Sequence, residues 1–99
     1  MPTVESQTAP STAVGIVQGT CDEGDSCGLK QRAAPYTDAP RLYPGDLHDG
    51  AVVTMVCQTI GDLRSNAGVG SSRTWFRLDN GAYVNAVYVA TTATPLAVC

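Results

Sequence analysis

Charge is scarce in this chain of 99 residues: Asp, Glu, Lys and Arg make up 15%, with six basic side chains against nine acidic and a net charge of -3. A chain this poor in cations has no basic stripe to displace counterions from nucleic acid or to hold an anionic lipid surface, so no nucleic-acid partner is expected. Long apolar runs are also missing. None approaches the roughly 20 residues needed to cross a bilayer, so no membrane insertion is expected in this segment. The chain has one His, one Trp and one Phe. With His48 far from any cysteine and no Cys-x-x-Cys pair, the spacing of a zinc site is absent, and neither a metal nor a cofactor is expected.

The same scarcity bears on catalysis. A serine- or cysteine-type hydrolase needs a nucleophile, a base and an orienting group. His48, next to Asp49 in a Gly-bounded turn, reads as an exposed turn residue. Cysteines paired in disulfides supply no thiolate, and a domain this small has little room to enclose a sugar between two carboxylates. The expectation is a protein that is not an enzyme.

What the chain does have is four cysteines: Cys21, Cys27, Cys57 and Cys99. An even count in a small Thr-, Ala- and Gly-rich domain fits disulfides and an oxidising, extracytoplasmic address, secreted or at the cell surface. Four cysteines permit three connectivities. The favoured one clips Cys21 to Cys27 across an acidic loop and ties the chain end at Cys99 to Cys57 in a central strand. On the chain-entropy account the long loop contributes about 4 kcal/mol and the short one about 2.

Residues 1–13 are Pro, Thr, Ser, Gln and Ala with a single Val, a composition unable to offset the entropy of an ordered backbone, and they read as a flexible linker. They lack the basic start and apolar centre of a signal peptide, and the chain is expected to be a segment of a longer protein. The domain proper is 14–99. Val14, Ile16 and Val17 form a first strand leading to Cys21. Asp22, Glu23 and Asp25 carry carboxylates that suit calcium, but the EF-hand spacing is missing and a solvated loop is the reading adopted. Gly28–Arg32 reads as a short strand stopped at Pro35. Residues 35–50 form a proline-rich loop presenting Tyr36, Arg41 and Tyr43. For Tyr43 and Leu47 two readings stand together, packing onto the sheet and binding a partner.

Ala51–Ile60 is the strongest strand, β-branched and nearly continuous in apolarity, as a central strand should be. Gly61–Ser72 is polar and glycine-bearing, and reads as a mobile loop without the features of a phosphate cradle. Ser71–Val89 then holds Trp75, Phe76, Tyr83 and Tyr88, split by Asp79-Asn80-Gly81, a tight hairpin signal. Asn85–Val89 is short enough for one helical turn before a last strand. In the tail, Ala90–Val98, only Cys99 supplies a reason for order. Adjacent strand residues face opposite ways, so at most one of Trp75 and Phe76 is interior unless the sheet is covered on both faces.

These signals describe an all-β domain. Leu29–Pro35, Leu47–Gln58, Thr74–Leu78 and Asn80–Val84 together resemble the bacterial SH3-like (SH3b) domains, which show a Leu-Asn-Val-Arg-Ser-Gly-Pro start, a Leu-x-x-Gly turn before a Val-rich strand, a Trp-x-x-Val/Leu strand and a Gly-x-x-Trp/Tyr-Val strand. Gln31 stands where that family prefers Val, and the loop from Pro35 to Leu47 is longer and richer in proline. The resemblance spans Leu29–Val89 and implies a small SH3-like barrel of about five to seven short antiparallel strands with long loops and two disulfides.

The cysteines look like those of secreted versions from high-GC Gram-positive bacteria, attached to cell-wall hydrolases or to receptor-like serine/threonine kinases. The resemblance further implies a monomeric, non-catalytic binding or sensor module that recognises a peptide or cell-envelope glycopeptide of peptidoglycan type, through an aromatic groove of Tyr36, Tyr43, Trp75 and Tyr83. The alternative is a small secreted disulfide-bonded inhibitor or effector that uses the Pro35–Pro44 loop as its contact.

Overall fold

The computed structural model describes residues 12–23, 27–42, 46–66, 68–91 and 96–99, with the side chains of Asp22 and Glu23 excluded. Five strands form one antiparallel sheet: β1 (Ala13–Val17), β2 (Val52–Asn66), β3 (Gly70–Leu78), β4 (Tyr83–Asn85) and β5 (Val89–Ala90). Their order is β4-β3-β2-β1-β5, so β4 and β5 are the two edges and the ladders leave the sheet open. Two 3-10 turns, Thr20–Glu23 and Ala86–Tyr88, are the helical elements among the described residues. Both disulfides, Cys21–Cys27 and Cys57–Cys99, are formed, as an oxidising compartment allows.

β2 organises the sheet. Its first residues pair with β1, Ile16 opposite Val52 and Ala13 opposite Met55, and the rest pairs with β3. Val53 and Met55 point into a core they share with Val17, Leu29, Phe76, Leu78, Val84, Val87, Tyr88, Val89 and Leu96. The register shifts between Met55 and Cys57 and again between Ile60 and Arg64. Such bulges bend a strand and let one long strand serve two directions.

The second half of β2 departs from the sequence reading. Gly61–Ser72 is not a loop: β2 continues to Asn66, and β3 starts at Gly70, with Arg64 opposite Ser72 and Asn66 opposite Gly70. Polar strands were hidden because this ribbon shows no period-2 hydrophobicity. Gly61 is required at the bend. A β-carbon there would collide with the Pro35 carbonyl and with the Trp75 ring.

Three smaller expectations also change. Gly28–Arg32 makes no continuous strand; Leu29 bridges Leu47, and Arg32 bridges both Arg41 and Tyr83, so the segment pairs through isolated bridges. The tight turn at Asp79-Asn80-Gly81 is a three-residue connection in which Gly81 N–H bonds Leu78 O at 2.9 Å and only Gly81 takes a positive φ, 89°. A type I turn closed by a left-handed glycine fits that geometry better than the two-residue form. The tail has a second anchor besides Cys99: Leu96 is buried in the core, and Gln58 pairs in parallel with Val98. Ala13, assigned to the linker, opens β1; residues 1–11 lie outside the described residues, as do Asp25, Tyr43 and Pro44.

Candidate functional site

The register of β3 on β4 sorts the aromatic residues. Phe76 lies opposite Val84 on the core face, whereas Trp75 lies opposite Asn85 and Arg77 opposite Tyr83. Trp75, Arg77, Tyr83 and Asn85 therefore share the other face. Both members of the Trp75-Phe76 pair are buried, at 3% and 8% exposure. The sheet is covered on both faces here, because the chain around Pro35 folds over the indole.

That cover is held by one residue of the supposed loop. Asp62 N–H donates to Pro35 O at 3.1 Å, and its Oδ2 accepts the Thr37 N–H at 2.9 Å and the Thr37 hydroxyl at 3.2 Å. Its carbonyl accepts the Trp75 indole N–H at 2.9 Å and the Asn85 amide at 3.4 Å. Asn85, 1% exposed, also donates to Ser72 O at 2.9 Å and accepts the Val87 N–H at 2.9 Å, capping the second 3-10 turn. Buried polar groups with partners on every side are rigid, since breaking one bond leaves an unsatisfied group behind.

Of the sequence-predicted aromatic groove, Trp75 and Tyr83 lie on one face, diagonal across β3 and β4. Tyr83 is half-buried and its backbone exchanges hydrogen bonds with Arg32, N–H to Arg32 O at 2.8 Å and O from Arg32 N–H at 3.1 Å. Tyr36 is 48% exposed on the covering segment, whose turn is closed by Ala39 N–H to Tyr36 O at 3.2 Å. Tyr43 lies outside the described residues. Leu47 packs against the core, in keeping with the packing reading given for it.

Beside the Trp75 indole opens a small cleft of about 10 Å³, room for one water-sized group. Leu29 and Trp75 give it an apolar wall, and Lys30, Arg32, Thr37, Arg64, Asn85 and Tyr88 are the other residues along it, with most of the accessible lining apolar. Arg64 Nη2 lies 3.5 Å from the Tyr88 hydroxyl, which in turn donates to Ser65 O at 3.2 Å. Arg32 Nη1 donates to Ala39 O at 3.0 Å, fixing the covering segment from the cleft side. Sequence reasoning missed these residues. Lys30 and Arg32 carried a signal, two cations flanking Gln31 in a chain with only six, but Arg64 was hidden in the stretch taken for a loop.

His48 and Asp49 stand elsewhere. The Asp49 Oδ1 accepts the Thr20 N–H at 2.9 Å and the Thr20 hydroxyl at 2.8 Å. These bonds, the backbone one first, hold its carboxyl below the ordinary range of 3.8. His48 is exposed, with Nδ1 3.3 Å from Cys27 O. Asp49 is thus engaged in fixing Thr20 rather than in orienting the imidazole. Among the described residues, no three His, Cys, Asp or Glu side chains converge in a way that would hold a metal ion, and no helix is long and apolar enough to cross a membrane.

Compared with known proteins, the chain matches no family model, no curated protein and no solved structure.

Proposed function

We propose that this chain is a non-catalytic extracytoplasmic binding or sensor module of the SH3-like barrel type, carried by a larger cell-surface or secreted protein such as a cell-wall hydrolase or receptor-like kinase. Its ligand is a peptide or a peptidoglycan-type glycopeptide of the cell envelope. The observation that carries the reading is the rigid, solvent-reaching cleft between the covering segment and the β3–β4 face. It has an apolar wall, a half-buried Tyr83 and an exposed Tyr36 nearby, and polar groups held in place by Asp62 and Asn85. Ligand sites are commonly concave and largely preformed, with a few fixed polar groups beside apolar ones. Five antiparallel strands, one of them long and bent, with a single 3-10 turn before the last, support the barrel type.

Titrating the domain with muropeptides and stem peptides, while following tyrosine, tryptophan and arginine resonances, tests the reading. Shifts confined to Tyr36, Tyr83, Trp75 and the cleft are expected. Their absence at millimolar ligand would overturn it.

A second reading has an observation of its own. The covering segment is braced by Ala33 N–H to Pro40 O at 2.8 Å and by Leu42 N–H to Gln31 O at 2.7 Å, yet it leaves Tyr36 and Leu42 exposed at 48% and 43%. A rigid loop presenting apolar side chains is what an inhibitor needs, because little ordering entropy remains to be lost on binding. Inhibition of secreted proteases, abolished by Leu42→Asp, would favour that reading over the envelope ligand.

A further inference from the structure

We propose that the outward face of β1 and its two neighbouring strands is a contact surface for a second copy of this chain, packed face to face about a two-fold axis. The inference goes beyond the cleft and does not depend on what the cleft binds. It replaces the monomer that the SH3-like resemblance implies.

The first observation is where charge is absent. No charged side chain occurs in residues 6–21, 51–61 or 82–99, and all but Glu5 fall in 22–49 and 62–80. The charge-free stretches are the ones that build β1, β5 and the first part of β2. These three are neighbours, in the order β2-β1-β5, so one end of the sheet is assembled from neutral strands.

The second observation is what points outward there. Val14 and Ile16, two apart on β1, share a face, and Ile16 stands opposite Val52 on β2 and Ala90 on β5. The alternate positions Val17, Val53, Met55 and Val89 belong to the core. An antiparallel sheet that turns one face to water usually alternates apolar with polar residues, yet here both faces are apolar. Val14, Ile16 and Val52 are 60%, 49% and 68% exposed, on the order of 300 Å² of apolar surface, a size that often marks a contact site.

The edge beside this face is blunted. β5 has two residues, the Val89 N–H turns back to Ala86 O, and the Thr91 hydroxyl donates to Val14 O at 2.9 Å. A partner therefore meets side chains rather than a free ladder of backbone groups.

Charge and shape select a second copy. Each chain carries a net -3, and two copies joined through neutral strands bury no charge and leave the acidic segments outside the contact. The row Val52, Ile16, Ala90 has a knob at one end, the exposed Val52. At the other end a hollow of about 390 Å³ opens along Val14, Ile16, Ala90 and Thr91. A two-fold axis near Ile16 sets each knob against the other copy's hollow, the reciprocal contact of an isologous dimer. Residues 1–11 make a poor cover, with Met1 and Val4 as their only large apolar side chains. A standard interface buries about 800 Å² per partner, so a patch under half that size gives a weak dimer, dissociating at roughly a few hundred micromolar.

The test is sedimentation velocity of the full chain from about 20 μM to 2 mM, with methyl resonances followed over the same range. The mass should rise toward two copies, and Val14, Ile16 and Val52 should shift with concentration while the Trp75 indole stays fixed. Val52→Lys, at the most exposed of the three positions, should weaken association at least about tenfold by burying an unpaired charge. It adds a positive charge to a net -3, so the weakening cannot come from overall repulsion. Ile16→Thr, which keeps a β-branched side chain on the strand, should weaken it less. Leu63→Lys, an exposed position in the charged part of β2, should leave it unchanged, and salt should have little effect on a neutral contact.

A chain that stays monomeric at the highest concentration would overturn the proposal. So would a dimer untouched by Val52→Lys, one weakened equally by Leu63→Lys, or one that dissociates steeply with salt, since each puts the contact on other segments. New hydrogen-exchange protection confined to the backbone of β5 would replace face packing by strand addition. The muropeptide titration is independent of all these outcomes, so the binding reading stands or falls separately.

Discussion

The two halves of the sheet are held together by different forces. Around Val53, Met55, Leu78 and Val84 the stabilisation comes from apolar area removed from water. Around Asp62, Asn66 and Asn85 it comes from side-chain hydrogen bonds that reach across the fold: Asn66 Nδ2 to Val87 O at 2.9 Å, and Asn85 Nδ2 to Ser72 O at 2.9 Å. Hydrophobic burial tolerates small shifts because it has no direction. The polar half fails by single bonds, since each lost partner leaves a buried donor or acceptor unpaid by water. The cleft beside Trp75 sits on the polar half, and the proposed function therefore depends on the more brittle part of the molecule.

The widest separation of the halves should come from the disulfides. Cys57–Cys99 encloses a separation of 42 residues and brings Leu96 onto the core, whereas Cys21–Cys27 encloses a separation of 6. Replacing Cys57 and Cys99 by Ser should lower stability by about 4 kcal/mol, against about 2 for the Cys21 and Cys27 pair. Urea denaturation of both double variants gives the comparison, and equal losses would contradict it.

Next comes a direct attack on the apolar half. Met55 is fully buried, and Met55→Ala should cost about 3 kcal/mol through lost transfer energy and the cavity left behind. The cleft should survive in whatever fraction stays folded, so ligand-induced shifts at Lys30 and Tyr83 would persist. In the polar half, Asn85→Ala should cost less, about 2 kcal/mol, but it should disturb the cleft while the protein remains folded. The mark of that disturbance is the Trp75 indole N–H, whose acceptor Asp62 O is shared with Asn85. Faster hydrogen exchange at that one proton, with the core strands still protected, is the expected outcome.

The difference between the halves also explains what could be read from the sequence. Val52, Val53, Met55 and Val56 advertise a strand through their own chemistry, and Asn80-Gly81 announces a turn locally. Both readings need only neighbours within a few positions. Asp62 and Asn66 carry no such local sign. Their roles depend on Thr37, Trp75 and Val87, and the partners of Asp62 lie 25 and 13 residues away. A polar segment with distant partners looks the same in sequence as one that is merely solvated. Gly61 is the partial exception. Its glycine was visible, but the reason for it, the Pro35 carbonyl pressed against the bend, exists only once the covering segment is in place. The cleft was half legible for the same reason: Lys30 and Arg32 sit two apart in the sequence, while Arg64 arrives from the second half of β2.

The smallest expected effect lies at Asp49, a polar contact on the exposed margin of the apolar half. Its Oδ1 accepts the Thr20 N–H and faces the Thr20 hydroxyl, whose single proton is shared between this carboxylate and Cys27 O; Thr20 is itself 1% exposed. Those bonds favour the ionised form, so the folded pKa lies below the ordinary value of 3.8. For a carboxyl depressed in this way the contribution to stability is complete above the unfolded pKa and is lost as pH falls through the folded one. Asp49→Asn keeps an oxygen for Thr20 and cannot titrate. The wild type should therefore be the more stable of the two at neutral pH, and the gap should close below about pH 4. Denaturation midpoints of both proteins from neutral to acid pH decide it: a gap that stays constant through that range would mean that Thr20 is held by packing and that the charge of Asp49 contributes nothing.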